Sequence, residues 1–334
     1  YLIVATGAYI VPSETPGMLD GWRDTIFDFY TPDGATALAE KLKTFPGGRL
    51  VVHVNETPIK CPVAPLEFAF FCDDCLRRHH RRDKIDLVYV TPLPGAFTKP
   101  VASKALGAML ADKRIEMVTD FNAERVDAKA RKLVGYDGRE VPYDLLVTVP
   151  TNMGSEVIEK SGMGNEFRFL PTDPHTLRSK KYERVFAIGD ATDLPSSKAG
   201  SVAHFQAEIL AENLMRAIGG KPLEPAFDGH SNCFIEAGHR KAILIDFNYE
   251  VEPLPGRFPF PALGPMPLLK PSRINHIGKA AFRWIYWHML LPGRPIPFVP
   301  SRMKMAGKKR PDEGSGGGGG GTATAGKTAG ETGR

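Results

Sequence analysis

Cys61 stands in ETPIKCPVAPLEF (56–68), between a strand-like run, RLVVHV (49–54), and a helix-like run, PLEFAFFCDDCLRR (65–78). A thiol at the carboxyl end of a strand in an open sheet occupies the place where ligands bind. A helix N-terminus and a neighbouring cation, here Lys60, both stabilise a thiolate, so redox chemistry at sulfur is open to this residue. The plainer reading is a small buried hydrophobe. A redox cysteine needs a partner, and Cys233 in SNCFIEAG (231–238) is the candidate.

The same strand, loop and helix are the parts of a dinucleotide-binding turn, yet the loop has no glycine. A bound pyrophosphate needs glycines for close backbone approach, and the ribose needs an acidic residue near the end of the following strand. Here Pro62 and Pro65 remove backbone donors, and the following strand ends VYVTP without an acid, so this domain is expected not to bind NAD(H). Cys72 and Cys75 form C-D-D-C inside the predicted helix. One such pair without a second is read as helix packing, and no metal site is expected.

Around these residues the pattern alternates strands and helices. YLIVATGAY (1–9) reads as a buried strand ending on Thr6 and Gly7, and TPDGATALAEKLKTF (31–45) as a helix stopped by Pro46-Gly47-Gly48. Strands at 49–54, 84–90 and 144–150 with helices at 65–78 and 101–110 predict a parallel sheet, and IEMVTD, ERVDAK and KLVGYDG read as a small antiparallel meander added to it. After a loop-rich stretch, YERVFAIGDATD (182–193) supplies an apolar strand ending in Gly189 and Asp190, and 197–220 forms an amphipathic helix. A carboxylate at such a strand end can accept from a ribityl hydroxyl, while the free N–H groups of the next helix face the electron-rich end of a flavin ring.

The 334 residues, 42% apolar and 24% charged with a formal charge of +5, are ordinary for a globular protein of two domains. Apart from RRHHRR (77–82) and RMKMAGKKR (302–310) the basic residues are spread along the chain, and the modest excess suits an anionic membrane surface better than a nucleic-acid footprint. Four scattered cysteines do not make a disulfide scaffold. In INHIGKAAFRWIYWHMLLPG (274–293), Lys279, Arg283 and His276 read as a cationic stripe, and Ile277, Ala281, Phe282, Trp284, Ile285 and Leu291 as apolar surface. Charges in its middle argue against spanning, so 274–291 is read as a helix lying in a membrane surface, with core packing as the alternative. Residues 301–334 read as a basic and then glycine-rich disordered tail.

YLIVATG and VFAIGDATD together resemble flavoproteins with two dinucleotide-binding domains, and GDATDLPSSKAGSVAHFQAE with CPVAPLEF resembles the sulfide:quinone oxidoreductases among them. The resemblance covers roughly residues 1–300 and implies an α/β fold with two Rossmann-like FAD/NAD(P)-binding domains, the first incomplete, plus a C-terminal membrane-associating segment. On it, 1–44 is a first piece of the FAD domain, 45–150 a vestigial NAD-type domain carrying Cys61, 151–222 the second FAD piece, and 223–300 a redox, quinone and membrane region. Thr6, Gly7, Gly189 and Asp190 would contact FAD, with Asp190 at the ribityl chain, and Lys198, Ala199, Gly200, Ser201 and Val202 would line its pyrimidine edge and the approach to quinone.

Cys61 and Cys233 match the catalytic pair of the family, which implies oxidation of sulfide to sulfane sulfur or polysulfide with electrons passed through FAD to a membrane quinone. One cysteine would keep the sulfur as a persulfide. The implied setting is a peripheral protein of a bacterial or archaeal-type cell membrane, homo-oligomeric states included. Members begin with a strand and a G-x-G-x-x-G turn, and none precedes Tyr1, so the chain is expected to lack the adenosine-diphosphate-binding part. Two other readings stay open: an NADH:quinone reductase, and a non-catalytic membrane-bound interaction module.

Overall fold

A computed structural model describes residues 1–309 except 262, 297 and 298, so the glycine-rich tail lies outside the described residues. In chain order the elements are β1 (Leu2–Val4), β2 (Ala8–Ile10), β3 (Ile26–Phe27), α1 (Pro32–Thr44), β4 (Gly48–Val54), α2 (Ala64–Arg78), β5 (Ile85–Val90) and α3 (Pro100–Asp112). Then come β6 (Glu116–Val118), β7 (Ala123–Asp127), β8 (Lys132–Gly135), β9 (Glu140–Pro142), β10 (Leu145–Val149), β11 (Asn152–Gly154), α4 (Glu156–Lys160), β12 (Val185–Ala187) and α5 (Gly200–Ile218). The last are β13 (Ser231–Gly238), β14 (Lys241–Phe247), β15 (Gly256–Phe258), β16 (Met266–Leu268) and α6 (Arg273–Ile285).

The centre is a five-stranded parallel sheet in the order β3-β10-β4-β5-β6. Side chains alternate across a strand. Leu50, Val52 and Val54 of β4 accordingly enter a core shared with α1, α2 and α3, while Val51 enters one built with Phe121 and with Val126, Leu133 and Val141 of the β7-β8-β9 meander. Burying both faces is what makes these strands read as continuous apolar runs.

Two boundaries differ from the sequence reading. IEMVTD supplies β6, an edge of the parallel sheet, and the meander takes Glu140–Pro142 as its third strand instead. Ile26–Phe27 pairs with β10, and Leu38 of α1 sits in the sheet core, so the sheet domain starts before residue 45.

Beyond α2 lies a second, four-stranded sheet in the order β13-β14-β16-β15, whose Ile235, Ile243, Ile245 and Phe247 meet the α2 core from the other side. β13 and β14 are joined by His239 and Arg240, both at positive φ (52° and 54°), the geometry of a tight two-residue turn. Gly238 before it, at φ 78°, is required by closeness as well: a Cβ there would stand 2.9 Å from Cβ of Asp74 on α2. A third core packs α5 through Val202, Phe205, Ile209 and Leu210 against Phe186 and Phe227. The parallel pair β1-β12 borders it, and of the buried strand expected over 1–9 only Val4 and Ala8 are buried, Leu2 and Ile3 being exposed.

Candidate active site

After β4 the chain turns back so that Lys60 bridges Lys198 in parallel and the amide of Cys61 donates to the carbonyl oxygen of Lys198 at 2.6 Å. The hydroxyl of Tyr30 donates to the carbonyls of Lys60 (2.7 Å) and Cys61 (3.2 Å), and the Lys60 amide donates to Oδ1 of Asn152 at 3.0 Å. Cys61 itself has φ 46°, the left-handed region a non-glycine residue rarely takes. The loop thus keeps the shape of a glycine turn with a thiol at its bend. Strain of this kind persists only where the surroundings over-determine the backbone. The Ala64 amide donates to the Cys61 carbonyl at 2.8 Å as α2 begins.

Cys233 lies on β13 opposite Ile245, and Oγ of Ser201 donates to the neighbouring Asn232 carbonyl at 2.9 Å, tying the start of α5 to that strand. Cys61, Cys233, Gly200, Ser201, Lys279 and Phe282 all line one cavity of about 310 Å³, and both thiols are free. Burial pushes the Cys61 thiol up; Lys279 and the N–H groups of Ala64 and Val63 pull against that, and Asp190 adds to it. Burial also pushes Cys233 up, reinforced by Cys61 and Asp246.

The cation beside Cys61 is therefore Lys279 of α6, not Lys60, whose ammonium lies 6.0 Å from the Tyr30 ring centre. Lys279 reaches inward to an ion pair with Glu67 in the first turn of α2, and burial brings its own pKa down to about 8. His276 likewise pairs with Glu236 at 2.9 Å, so these residues form no cationic stripe. Phe282 and Ile285 line the cavity, whereas Ile277, Trp284, Trp287 and Leu291 are exposed, and a single π-helical turn (Tyr286–Leu290) continues α6. Among the described residues no helix is long and apolar enough to cross a membrane.

The residues expected at a flavin divide into two groups. Thr6 and Gly7 leave β1 beside Gly189 and Asp190 leaving β12, because Val4 and Ala187 are in register. The Thr6 hydroxyl is buried without a hydrogen-bond partner, and burial holds Asp190 above the ordinary carboxylate range against the pull of Lys198 and Lys60. An orphaned hydroxyl, a protonatable carboxyl and the open N-terminus of α5 fit the polyhydroxylated, electron-rich half of a flavin cofactor. Gly200 and Ser201 reach the cavity, and Ala199 caps α5. Lys198 and Val202 do not line it: Val202 is in the α5 core, and Nζ of Lys198 donates to the carbonyls of Asp190 (2.9 Å) and Thr192 (2.6 Å).

A second cavity, about 340 Å³, opens at the carboxyl ends of β4 and β5, where a dinucleotide would lie in a Rossmann domain; Thr57, Pro58, Pro62, Thr91 and Lys99 are among its walls, and among the described residues no glycine or acid lines it. Cys72 is buried, with its pKa raised to about 12 chiefly by burial, while Cys75 is exposed. Among the described residues no group of three or more His, Cys, Asp or Glu side chains is arranged to hold a metal ion.

No family model matches the chain. It is 29% identical over 299 residues to the mitochondrial sulfide:quinone oxidoreductase of Schizosaccharomyces pombe, covering 86% of this chain and 65% of that protein. It is also 29% identical over 303 residues to the mitochondrial sulfide:quinone oxidoreductase of Dictyostelium discoideum, covering 88% and 65%. The fold superposes on the structure of the sulfide:quinone oxidoreductase from Aquifex aeolicus with a TM-score of 0.69 at 16% identity, over 88% of this chain and 70% of that one. The chain is a homologue of the sulfide:quinone oxidoreductases.

This sulfide:quinone oxidoreductase homologue spans about two thirds of the length of the curated relatives it matches, 65% in each case. Their names place those relatives in mitochondria rather than at the bacterial or archaeal-type membrane expected from sequence. In the homologue's site, Tyr30, Glu67 and the inward Lys279 are the residues that sequence reasoning missed. Glu67 carried a signal, since it lies in the first turn of the helix that follows Cys61; Tyr30 carried none, being brought in by the sheet edge at β3.

Proposed function

We propose that the chain carries out FAD-dependent oxidation of sulfide through Cys61 and Cys233, with membrane quinone as the final electron acceptor. The observation that supports this most is the convergence of both thiols on one cavity that also receives the start of α5. With the pair oxidised to a disulfide, hydrosulfide attacks one sulfur, leaving a persulfide on one cysteine and a thiolate on the other. A thiol or sulfide acceptor then takes the sulfane sulfur, which returns the first cysteine to a thiolate. Re-forming the disulfide from the two thiolates releases two electrons. Bound FAD supplies the two-electron carrier between that step and a quinone, which takes up the electrons with two protons.

The chain's own residues hold the pieces. Thr6 and Asp190 offer hydrogen bonds to the ribityl side, Gly200 and Ser201 border the cavity, and Lys198 fixes the Asp190 turn by its two carbonyl bonds. Phe205, Phe234 and Phe258 give the cavity that holds the sulfur pair apolar walls. Trp284 and Trp287, 61% and 59% exposed, together with Ile277 and Leu291, present an apolar edge that suits a membrane surface, so the protein acts as a peripheral one.

The test is an absorbance experiment on the chain incubated with FAD. Sulfide should bleach the bound flavin and a short-chain quinone should restore it, and Cys61→Ser or Cys233→Ser should each abolish the bleaching. Bleaching by sulfide that survives in Cys61→Ser would overturn the assignment. Bleaching by NADH at micromolar levels would favour an NADH:quinone reductase instead.

A further inference from the structure

We propose that Lys279 is a positioning residue for the reactive thiol: carried by α6 and tethered to Glu67, its ammonium holds Cys61 as the thiolate used in sulfur transfer. This rests on the sulfide-oxidising reading of the same site. Lys279 and Cys61 line one cavity, and Glu67, which joins Lys279 to α2, lies on the helix whose N-terminus receives the Cys61 loop. The lysine is thus fixed to the element that aims the cysteine.

Its inward direction needs a reason. α6 has a water-facing side, and Arg283 on it is exposed, so a lysine serving only to solubilise the helix would point outward. Lys279 and Glu67 side chains are instead 31% and 15% exposed, and withdrawing an ammonium from water is costly unless anions meet it. The anions available are the Glu67 carboxylate and a Cys61 thiolate.

The other charged groups around Cys61 do not take this role. Asp190, from the turn after β12, and Cys233, from β13, oppose a thiolate. Lys60 is turned over the Tyr30 ring, the Tyr30 hydroxyl is spent on backbone carbonyls, and the Lys198 ammonium is spent on the carbonyls of Asp190 and Thr192. The groups that favour the thiolate are the ammonium of Lys279, which it shares with Glu67, and the N–H groups of Ala64 and Val63, the first of which also donates to the Cys61 carbonyl.

The experiment is the pH dependence of Cys61 alkylation by iodoacetamide in the full chain without sulfide, read by peptide mass spectrometry, with exposed Cys75 as internal reference. Lys279→Met should raise the Cys61 midpoint by about one unit or more, as loss of a nearby opposite charge does. At pH 7 that lowers the alkylation rate roughly tenfold. Cys75 should not change, and Lys279→Arg should restore the wild-type midpoint. Lys279→Gln serves in place of Lys279→Met where the latter does not fold. A Cys61 midpoint unchanged in the variants without the charge, or one that Lys279→Arg fails to restore, overturns the proposal. Because the readout needs neither sulfide nor flavin, failure of sulfide oxidation leaves it interpretable, and an unchanged midpoint counts against Lys279 even in a chain that oxidises sulfide.

Discussion

The amide of Cys61 donates to the carbonyl oxygen of Lys198 at 2.6 Å, fastening the cysteine loop of the parallel sheet to the segment that leads into α5. Two units that each carry part of the site are thereby joined at main-chain level, and the side chain of Lys198 continues the joint on the other side. Its ammonium is 3.8 Å from the centre of the Phe169 ring and bonds two carbonyls.

Lys198→Met should leave those carbonyls unpaired and lower stability at pH 7 by about 1 kcal/mol or more in urea denaturation. Burial depresses the pKa of Lys198 to about 8. Between there and the ordinary lysine value near 10.4 the unfolded chain binds the extra proton, so this residue's contribution to stability rises with pH. The gap between wild type and Lys198→Met should widen across that window and stay flat below pH 7.

Asp73, in the middle of C-D-D-C, is fully buried and meets Nε of Arg82 at 2.8 Å, Nε of Arg77 at 3.0 Å and Nζ of Lys113 at 3.3 Å. Asp73→Asn should cost about 3 kcal/mol, because three cations lose their counter-charge. Burial alone would raise the Asp73 pKa, but these partners outweigh it and hold the carboxyl below its usual range. Its contribution is present above the ordinary carboxylate value and is lost as pH falls through the folded pKa, so urea midpoints of wild type and variant should converge in acid.

The His239-Arg240 turn puts two side-chain-bearing residues in the left-handed region. Arg240→Gly should stabilise the chain by about 0.5–1 kcal/mol, since glycine takes that conformation without the Cβ clash. A fall in the urea midpoint would count against strain at this turn.

Trp284→Ser with Trp287→Ser should weaken sedimentation with anionic vesicles about tenfold or more, given the transfer free energy of two aromatic side chains. Reduction of a water-soluble short-chain quinone should persist in the same protein. Equal loss of both would place the two residues in the site rather than at a surface.

Much of the sheet domain was legible in the chain because β4, β5 and β10 are buried on both faces and bounded by strong turn residues. The β13-β14 hairpin was not: its turn is His-Arg where Asn-Gly is the usual signal, and its bulge between Glu236 and Gly238 breaks the alternation. Cys61 and Cys233 were visible as a candidate pair, but Lys279 was read as surface from its spacing on an amphipathic helix. Periodicity tells which stripe of a helix is apolar and not which charged residue will cross over it to reach a buried acid on another element. The turn of the Lys198 ammonium was equally hidden, as a lysine drawn back onto the carbonyls of its own loop looks, in one dimension, like one that points at a ligand.

α2 starts at the Cys61 loop, and Asp74 on its flank meets Nδ1 of His239 at 3.1 Å, at the tip of the hairpin that bears Cys233. One rod therefore carries one sulfur at its head and grips the support of the other along its side. The gap between the sulfurs is thereby set as calliper jaws are, by a common beam.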